Sequence, residues 1–165
     1  MLQLVTDHAA HAALNGTRLV EQEIEQYLHR HIPLSAAMGI RVRVATPERV
    51  ELAAPLAPNI NHHETLFGGS AAAIATLSAW TLVNLRLRAA GVRAQLVIQR
   101  NAMRYNEPID GDFTAVCERP DETYWERFMT MITRRGRGRV TMNAHLIYRA
   151  HPVASFEGDF VAMRD

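Results

Sequence analysis

The sequence predicts an α+β fold in which an antiparallel sheet of about six strands wraps around one long, enclosed helix. Two observations lead to this prediction. Residues 71–91 are apolar on all sides for several turns, which is typical of a helix surrounded by other structure. Much of the remaining chain alternates polar and apolar residues over short segments, which is typical of strands with one buried face.

The length and composition favour one ordinary domain. The chain has 165 residues, 48% of them hydrophobic, and we expect a single domain over residues 17–165 after a mobile N-terminal segment, residues 1–16. The 18 Lys and Arg residues nearly balance the 17 Asp and Glu residues. The net charge therefore produces no overall electrostatic field that would attract nucleic acid or an anionic membrane. The one cysteine, Cys117, is expected to be a buried packing residue.

The beginning of the chain suggests a cytoplasmic protein. It lacks the basic start and solid apolar stretch of a secretory signal. The longest apolar run, residues 70–85, is shorter than the ~20 residues that cross a bilayer, so we expect no membrane segment.

The elements can be predicted in chain order. A first helix is expected to begin at Thr17 and to be closed by Pro33, because apolar residues recur at helical spacing between them. A hairpin follows, with strands at residues 39–45 and 49–53. A loop over residues 54–70 then leads into the enclosed helix, and Gly91 is expected to end that helix.

The second half of the chain is expected to be mostly strand. Four strands are predicted, at residues 96–105, 113–118, 140–148 and 154–163. A short amphipathic helix capped by Asp121 is expected between the second and third of these strands. One long helix inserted early among antiparallel strands fits the hotdog arrangement, which is one of a few that this pattern allows.

The loop before the enclosed helix contains a pair of glycines, Gly68 and Gly69. The first N–H groups of a helix have no partner inside it and lie at the positive end of the helix dipole. Glycine removes the side chain at that point, so a carbonyl oxygen can approach and accept a backbone hydrogen bond. Alternatively, the two glycines only allow the helix to pack closely against a strand.

The same segment resembles a known active site. Hotdog thioesterases commonly have Asn, five residues, His-Gly-Gly and then the helix. The resemblance is greatest to the YiiD-type thioesterase family, in which N-H-H-x-T-x-F-G-G-S (here residues 61–70), R-Y-x-x-P-x-x-G-D-F (here residues 104–113) and a basic G-R stretch recur. It implies hydrolysis of an acyl-CoA or an acyl-carrier protein, without a cofactor or metal, by a homodimer or homotetramer.

The resemblance also implies roles for individual residues. Asn61 matches the residue that helps to hold the substrate or the attacking water, and Gly68 matches the glycine whose amide forms the oxyanion site. Two positions depart from the common hotdog pattern. Phe67 stands where many thioesterases have His, and Thr76 stands where several have an Asp or Glu nucleophile or base. The expected substrate contacts on this segment are Phe67, Gly69 and Ser70.

These departures make the water-activating group the open question of the site. A Thr hydroxyl can orient water but cannot act as a base near neutral pH, so Thr76 is not a replacement for a carboxylate. The titratable residues on the loop are His62, His63 and Glu64, of which we favour His63 and Glu64 as the base. The alternative interpretation is that all three are solvated loop residues.

Four arginines precede a predicted strand: Arg134, Arg135, Arg137 and Arg139. In hotdog proteins the equivalent region often contacts the phosphates of coenzyme A. The planar guanidinium group of arginine can donate two hydrogen bonds to a phosphate at once. The alternative is a solvated basic turn.

Two functions therefore stand open. The first is a thioesterase that acts on an acyl-CoA or an acyl-carrier protein. The second is a non-catalytic acyl-thioester binder with a degenerate hotdog site, an alternative that Phe67 and Thr76 support. In either case the exposed edges of a small sheet are expected to be covered by pairing into a dimer or a dimer of dimers.

Overall fold

The computed structural model describes residues 19–164. The predicted N-terminal segment, residues 1–16, lies outside the described residues, and the single domain over residues 17–165 stays a prediction. The helices are α1 (19–31 in its described part), α2 (Pro33–Ala37), α3 (Gly68–Ala89) and α4 (Glu122–Arg135). The strands are β1 (Arg41–Ala45), β2 (Arg49–Ala54), β3 (Ala94–Tyr105), β4 (Phe113–Glu118), β5 (Arg137–Tyr148) and β6 (His151–Arg164).

The strands form one antiparallel sheet in the order β1-β2-β4-β5-β6-β3. Helix α3 lies against one face of this sheet and contacts all six strands. Its side chains are buried over most of its length, and Ile74, Leu82 and Val83 have no exposed surface. The predicted hotdog fold is confirmed. No helix in the described part of the chain is long and apolar enough to cross a membrane.

Several boundaries differ from the sequence prediction. Helix α1 ends at residue 31, just before Pro33, as expected, but Pro33 then opens the short helix α2, because proline fits the first turn of a helix where its missing N–H is not needed. Strand β5 begins at Arg137 rather than at residue 140, and β6 begins at His151 rather than at residue 154. Pro152 is the second residue of β6, and proline is tolerated at the beginning of a strand.

Helix α4 is confirmed with its predicted cap and apolar side. The Asp121 carboxylate accepts a hydrogen bond from the Thr123 amide at 2.9 Å, which satisfies one of the free N–H groups of the first turn. The buried side chains of α4 are Trp125, Phe128 and Ile132. Gly138 at the beginning of β5 permits their close approach, since a Cβ there would lie 2.8 Å from the Phe128 carbonyl oxygen. This packing fixes where the arginine segment leaves the helix.

The two edges of the sheet differ. Helix α1 covers the edge of β1: the Glu25 carboxylate accepts from the Val42 amide at 2.9 Å, and His29 Nε2 donates to the Ile40 carbonyl at 2.8 Å. At the other edge, Trp80 Nε1 donates to the Leu96 carbonyl of β3 at 3.1 Å. No strand among residues 19–164 pairs with that side of β3. One edge is therefore closed by side chains, and the other is largely open.

Candidate active site

Buried hydrogen bonds hold the loop before α3 in place. Asn59 is buried, and its amide nitrogen donates to the carbonyls of Met38 at 2.9 Å and Pro55 at 2.8 Å. The backbone carbonyl of Asn59 accepts a hydrogen bond from the Phe67 amide at 2.8 Å. The Leu66 amide donates to the Ile109 carbonyl at 2.8 Å. The entrance to α3 is thus tied to the end of α2 and to the segment after β3.

Asn61 uses its side chain within the loop. Its Oδ1 accepts from the His63 amide at 2.8 Å and from the Thr65 amide at 3.2 Å. Its Nδ2 donates to Thr65 Oγ1 at 3.0 Å and to the Leu66 carbonyl at 3.3 Å. Because both Nδ2 hydrogens are engaged, little donor capacity is left for a substrate or water. Asn61 shapes the loop that leads to Gly68.

The three titratable loop residues lie on the surface. His62, His63 and Glu64 are exposed, and the two imidazole rings lie 3.8 Å apart between centroids. Glu64 has a φ of 59°, a left-handed conformation that turns the loop back towards α3. None of the three lines the cavity at the beginning of α3.

The first turn of α3 presents free backbone donors. Phe67 precedes the helix with an extended backbone and makes no side-chain cap, and the first turn carries no acidic residue. The Ala71 amide donates to the Phe67 carbonyl at 3.0 Å. The amides before it, those of Gly68, Gly69 and Ser70, have no partner among residues 19–164. Such a cluster of N–H groups at the positive end of a helix is suited to a developing oxyanion.

A cavity of about 350 Å³ opens beside this turn. Its wall is mainly apolar around Gly68, and its lining residues are Leu66, Gly68, Ala71, Tyr105, Asn106, Glu107, Pro108, Ile109, Leu146 and Ala154. The Tyr105 hydroxyl donates to the Gly68 carbonyl at 2.9 Å, and a Cβ on Gly68 would lie 3.3 Å from that hydroxyl oxygen. Burial raises the pKa of the Tyr105 phenol, so it stays a hydrogen-bond donor at neutral pH.

Phe67 and Thr76, which precede and follow Gly68 in the sequence, differ in their position relative to the cavity. Phe67 keeps 54% of its surface exposed, and its ring lies over Gly69, where a Cβ would come within 2.3 Å of the ring. Thr76 is half-buried on α3, about 12 Å along the helix axis from Gly68, and is not among the cavity residues. The structure therefore brings Gly68, but not Thr76, to the cavity.

A carboxylate–imidazole pair at the cavity was missed by sequence reasoning. Glu107 lines the cavity, and its Oε2 accepts a hydrogen bond from His151 Nε2 at 3.1 Å. The hydrogen bond to Glu107 raises the pKa of the His151 imidazole, and the nearby Arg149 carbonyl acts in the same direction. Glu107 lies inside the R-Y-x-x-P segment at one of its variable positions, so no motif marks it in the sequence.

The arginines surround a second cavity, of about 450 Å³. Arg135, Arg137 and Arg139 line it, whereas Arg134 does not. The two cavities lie at different ends of β6, since Ala154 lines the first and Val161 the second, about 23 Å apart along the strand. Three guanidinium groups around one opening can hold a phosphate group.

Comparison with known proteins identifies the family. The family model described as Putative thioesterase (yiiD_Cterm) matches residues 21–164. A protein of unknown function from Chlorobaculum tepidum TLS is similar at 27% identity and a TM-score of 0.84, over 90% of this chain and 97% of that one. A thioesterase from Shewanella oneidensis, described as putative, is similar at 28% identity and a TM-score of 0.78, over 88% of this chain and 99% of that one.

A third solved structure supports the fold alone. It is a probable thioesterase from Pseudomonas aeruginosa, similar at 21% identity with a TM-score of 0.75, over 87% of this chain and 96% of that one. The family match covers most of the chain and includes the loop, the first turn of α3 and the arginine segment. The chain therefore belongs to the thioesterase family described as yiiD_Cterm, and this membership supports thioester hydrolysis in general.

Proposed function

We propose that the chain hydrolyses an acyl thioester, an acyl-CoA or an acyl-carrier protein, in the cytoplasm and at the beginning of α3. The observation that supports this most is the group of amides at Gly68, Gly69 and Ser70 that have no partner within residues 19–164 and lie next to a cavity with a mainly apolar wall. Family membership supports the same chemistry in general.

In this proposal the thioester carbonyl oxygen lies at the Gly68 amide. When water attacks the carbonyl carbon, negative charge develops on that oxygen, and one well-placed donor lowers the barrier by ~3 kcal/mol. The acyl group packs against apolar side chains such as Leu66, Ile109 and Leu146. Phe67, Gly69 and Ser70 form the outer side of the same substrate site.

The attacking water needs a base, and the candidates differ in their distance from the cavity. His63 and Glu64 are proposed from the sequence and stand on the exposed loop. Asn61 is proposed to position the loop that leads to Gly68. Thr76 lies outside the cavity lining, about 12 Å along α3 from Gly68, so it does not position a water at the Gly68 amide of the same copy. Glu107 is a further carboxylate and lines the cavity itself.

The phosphates of an acyl-CoA are proposed to bind at Arg135, Arg137 and Arg139, with Arg134 close by. In one copy this cavity is far along the sheet from Gly68. We therefore propose that the part of coenzyme A between the thioester and the phosphates crosses the sheet edge, or that it reaches the arginines of a second copy in a homodimer or homotetramer. The open edge of β3 is where a second copy would pair.

A non-catalytic acyl-thioester binder is the second candidate. Phe67 and Thr76 favour it, because they replace the His and the carboxylate that many hotdog thioesterases carry at these positions. A binder would keep the cavity and the free amides and would release no thiol.

A hydrolysis screen separates the two functions. Short, medium, long and aromatic acyl-CoAs are incubated with the protein, and release of free thiol is measured. We expect steady turnover of at least one class. The variant Gly68→Ala, whose Cβ would lie 3.3 Å from the Tyr105 hydroxyl, should lower the turnover number on the order of 10–100-fold by displacing the carbonyl. Tight binding of acyl-CoA without thiol release would favour the binder.

A further inference from the structure

We infer that Glu107, held by His151, is the general base that activates the attacking water. This inference rests on the proposed thioester hydrolysis and names the base of that same site. It assigns the role to the end of β3 and the beginning of β6, away from α3 and from the loop before it.

Within residues 19–164, Glu107 is the one carboxylate that lines the Gly68 cavity. The other titratable group in that lining is the Tyr105 phenol, which stays protonated and already donates to the Gly68 carbonyl. His63 and Glu64 are exposed on the loop and do not line the cavity. A base must come within hydrogen-bond reach of the water it activates, so position favours Glu107.

The backbone holds Glu107 in place. The Asn106 amide donates to the Val153 carbonyl at 2.9 Å, and the Glu107 amide donates to the same oxygen at 3.3 Å. Pro108 follows and restricts the chain further. The segment after β3 is thereby tied to β6, and the carboxylate leaves the backbone next to the cavity.

The carboxylate has one oxygen engaged and one free. Oε2 accepts from His151 Nε2, whereas Oε1 has no partner among residues 19–164. His151 Nδ1 lies 3.3 Å from the Arg149 carbonyl, so both ring nitrogens face acceptors. An imidazolium that donates from both nitrogens has no lone pair to accept a proton. His151 is therefore a positioning residue, and Oε1 of Glu107 is the atom left to accept a proton from water.

The proton balance follows directly. Glu107 Oε1 takes a proton from water as the water oxygen bonds to the thioester carbonyl carbon, and the carbonyl electron pair moves to the oxygen at the Gly68 amide. The tetrahedral intermediate then collapses, the carbon–sulfur bond breaks, and the Glu107 proton passes to the sulfur. The products are a carboxylic acid and a free thiol, and Glu107 returns to its carboxylate form.

The pair is suited to a test by substitution. The His151 and Glu107 side chains keep 49% and 54% of their surface exposed, and exposed ion pairs contribute little to stability. Loss of the pair should therefore leave the fold intact, so a loss of activity can be assigned to chemistry.

The experiment compares steady-state hydrolysis by Glu107→Gln and by the parent protein. We expect the turnover number to fall by about 100-fold or more, as for other general bases, with the KM little changed. Glu126→Gln, which changes an exposed glutamate of α4, is the matched control and should keep the parent activity. A Glu107→Gln variant with parent turnover would overturn the inference and leave the proposed function standing.

His151 is tested by a pair of variants. His151→Ala should lower the turnover number about tenfold without changing the KM, because it releases the carboxylate from its fixed position. His151→Gln retains a donor near the Nε2 position and should restore part of the loss. Loss of activity in Glu64→Gln or His63→Ala, with Glu107→Gln active, would move the base to the loop. A parent protein that hydrolyses no member of the panel would overturn the inference together with the proposed function.

Discussion

Cys117 lies on β4 with no exposed surface, and its thiol is directed at the Asn143 carbonyl 3.2 Å away. Burial raises the pKa of this thiol to about 12. The thiolate is the reactive form of cysteine, so Cys117 is inert in the folded protein and is not a nucleophile for a covalent acyl intermediate. The sequence prediction of a buried packing residue is confirmed.

This inertness can be measured with a thiol reagent at about pH 8, near the ordinary pKa of cysteine. We expect no reaction of the folded protein over the time of a hydrolysis assay, and one thiol per chain after unfolding in denaturant. The folded protein would then add no background to the thiol readout. Rapid labelling of the native protein would contradict the packing of Cys117.

At the scale of single residues, the sequence predicted the place of Gly68 at the beginning of α3 and the burial of Cys117, because both signals are local. Gly68 stands in a motif directly before an enclosed helix, and Cys117 stands on the apolar side of a strand. Glu107 and His151 are 44 residues apart and meet only because β3 pairs with β6. Sequence spacing does not reveal which residues of β3 and β6 are paired, so the contact between Glu107 and His151 could not be predicted.

At the scale of elements, the order of helix, turn and strand around the arginines matters most. Helix α4 ends at Arg135, Gly136 takes a left-handed conformation with a φ of 68°, and β5 begins at Arg137. The turn therefore places Arg135, Arg137 and Arg139 around one opening. Patterns of charge and apolar spacing predicted both elements, but not the early beginning of β5, because Gly138 lacks a side chain to extend the strand pattern.

The double variant Arg135→Ala/Arg137→Ala tests the phosphate contact. We expect it to raise the KM for acyl-CoA more than it lowers the turnover number, with a smaller effect at high salt because salt screens exposed charges. The control Arg30→Ala/Arg43→Ala removes the same charge from exposed positions outside that cavity and should behave like the parent. Equal KM values for the two double variants would indicate a solvated turn or a protein carrier.

At the scale of the whole molecule, the sheet has one protected and one open edge. Glu25 and His29 occupy hydrogen-bonding groups on the edge of β1. Within residues 19–164, β3 has one side-chain donor, Trp80, which binds the Leu96 carbonyl near the beginning of the strand. Val97 on β3 is also 47% exposed. The sequence predicted that edges would need covering, but which edge is open follows from the strand order and from the place of α1.

We therefore expect a dimer, or a dimer of dimers, in solution, with pairing through β3. Light scattering at micromolar concentration measures the mass directly, and Glu25→Ala serves as the comparison variant. Since Glu25 lies at the other edge, its loss should leave the mass unchanged while lowering the melting temperature. A monomer mass for the parent protein would count strongly against pairing.

The protection of β1 by α1 also limits how far association can extend. A sheet with two usable edges can add copies indefinitely and grow into a fibre. Because the chain's own side chains already occupy one edge, each copy has a single edge to which another strand can be added. Pairing through β3 uses that edge. Growth by edge addition therefore terminates at two copies, and any larger assembly has to use a different surface.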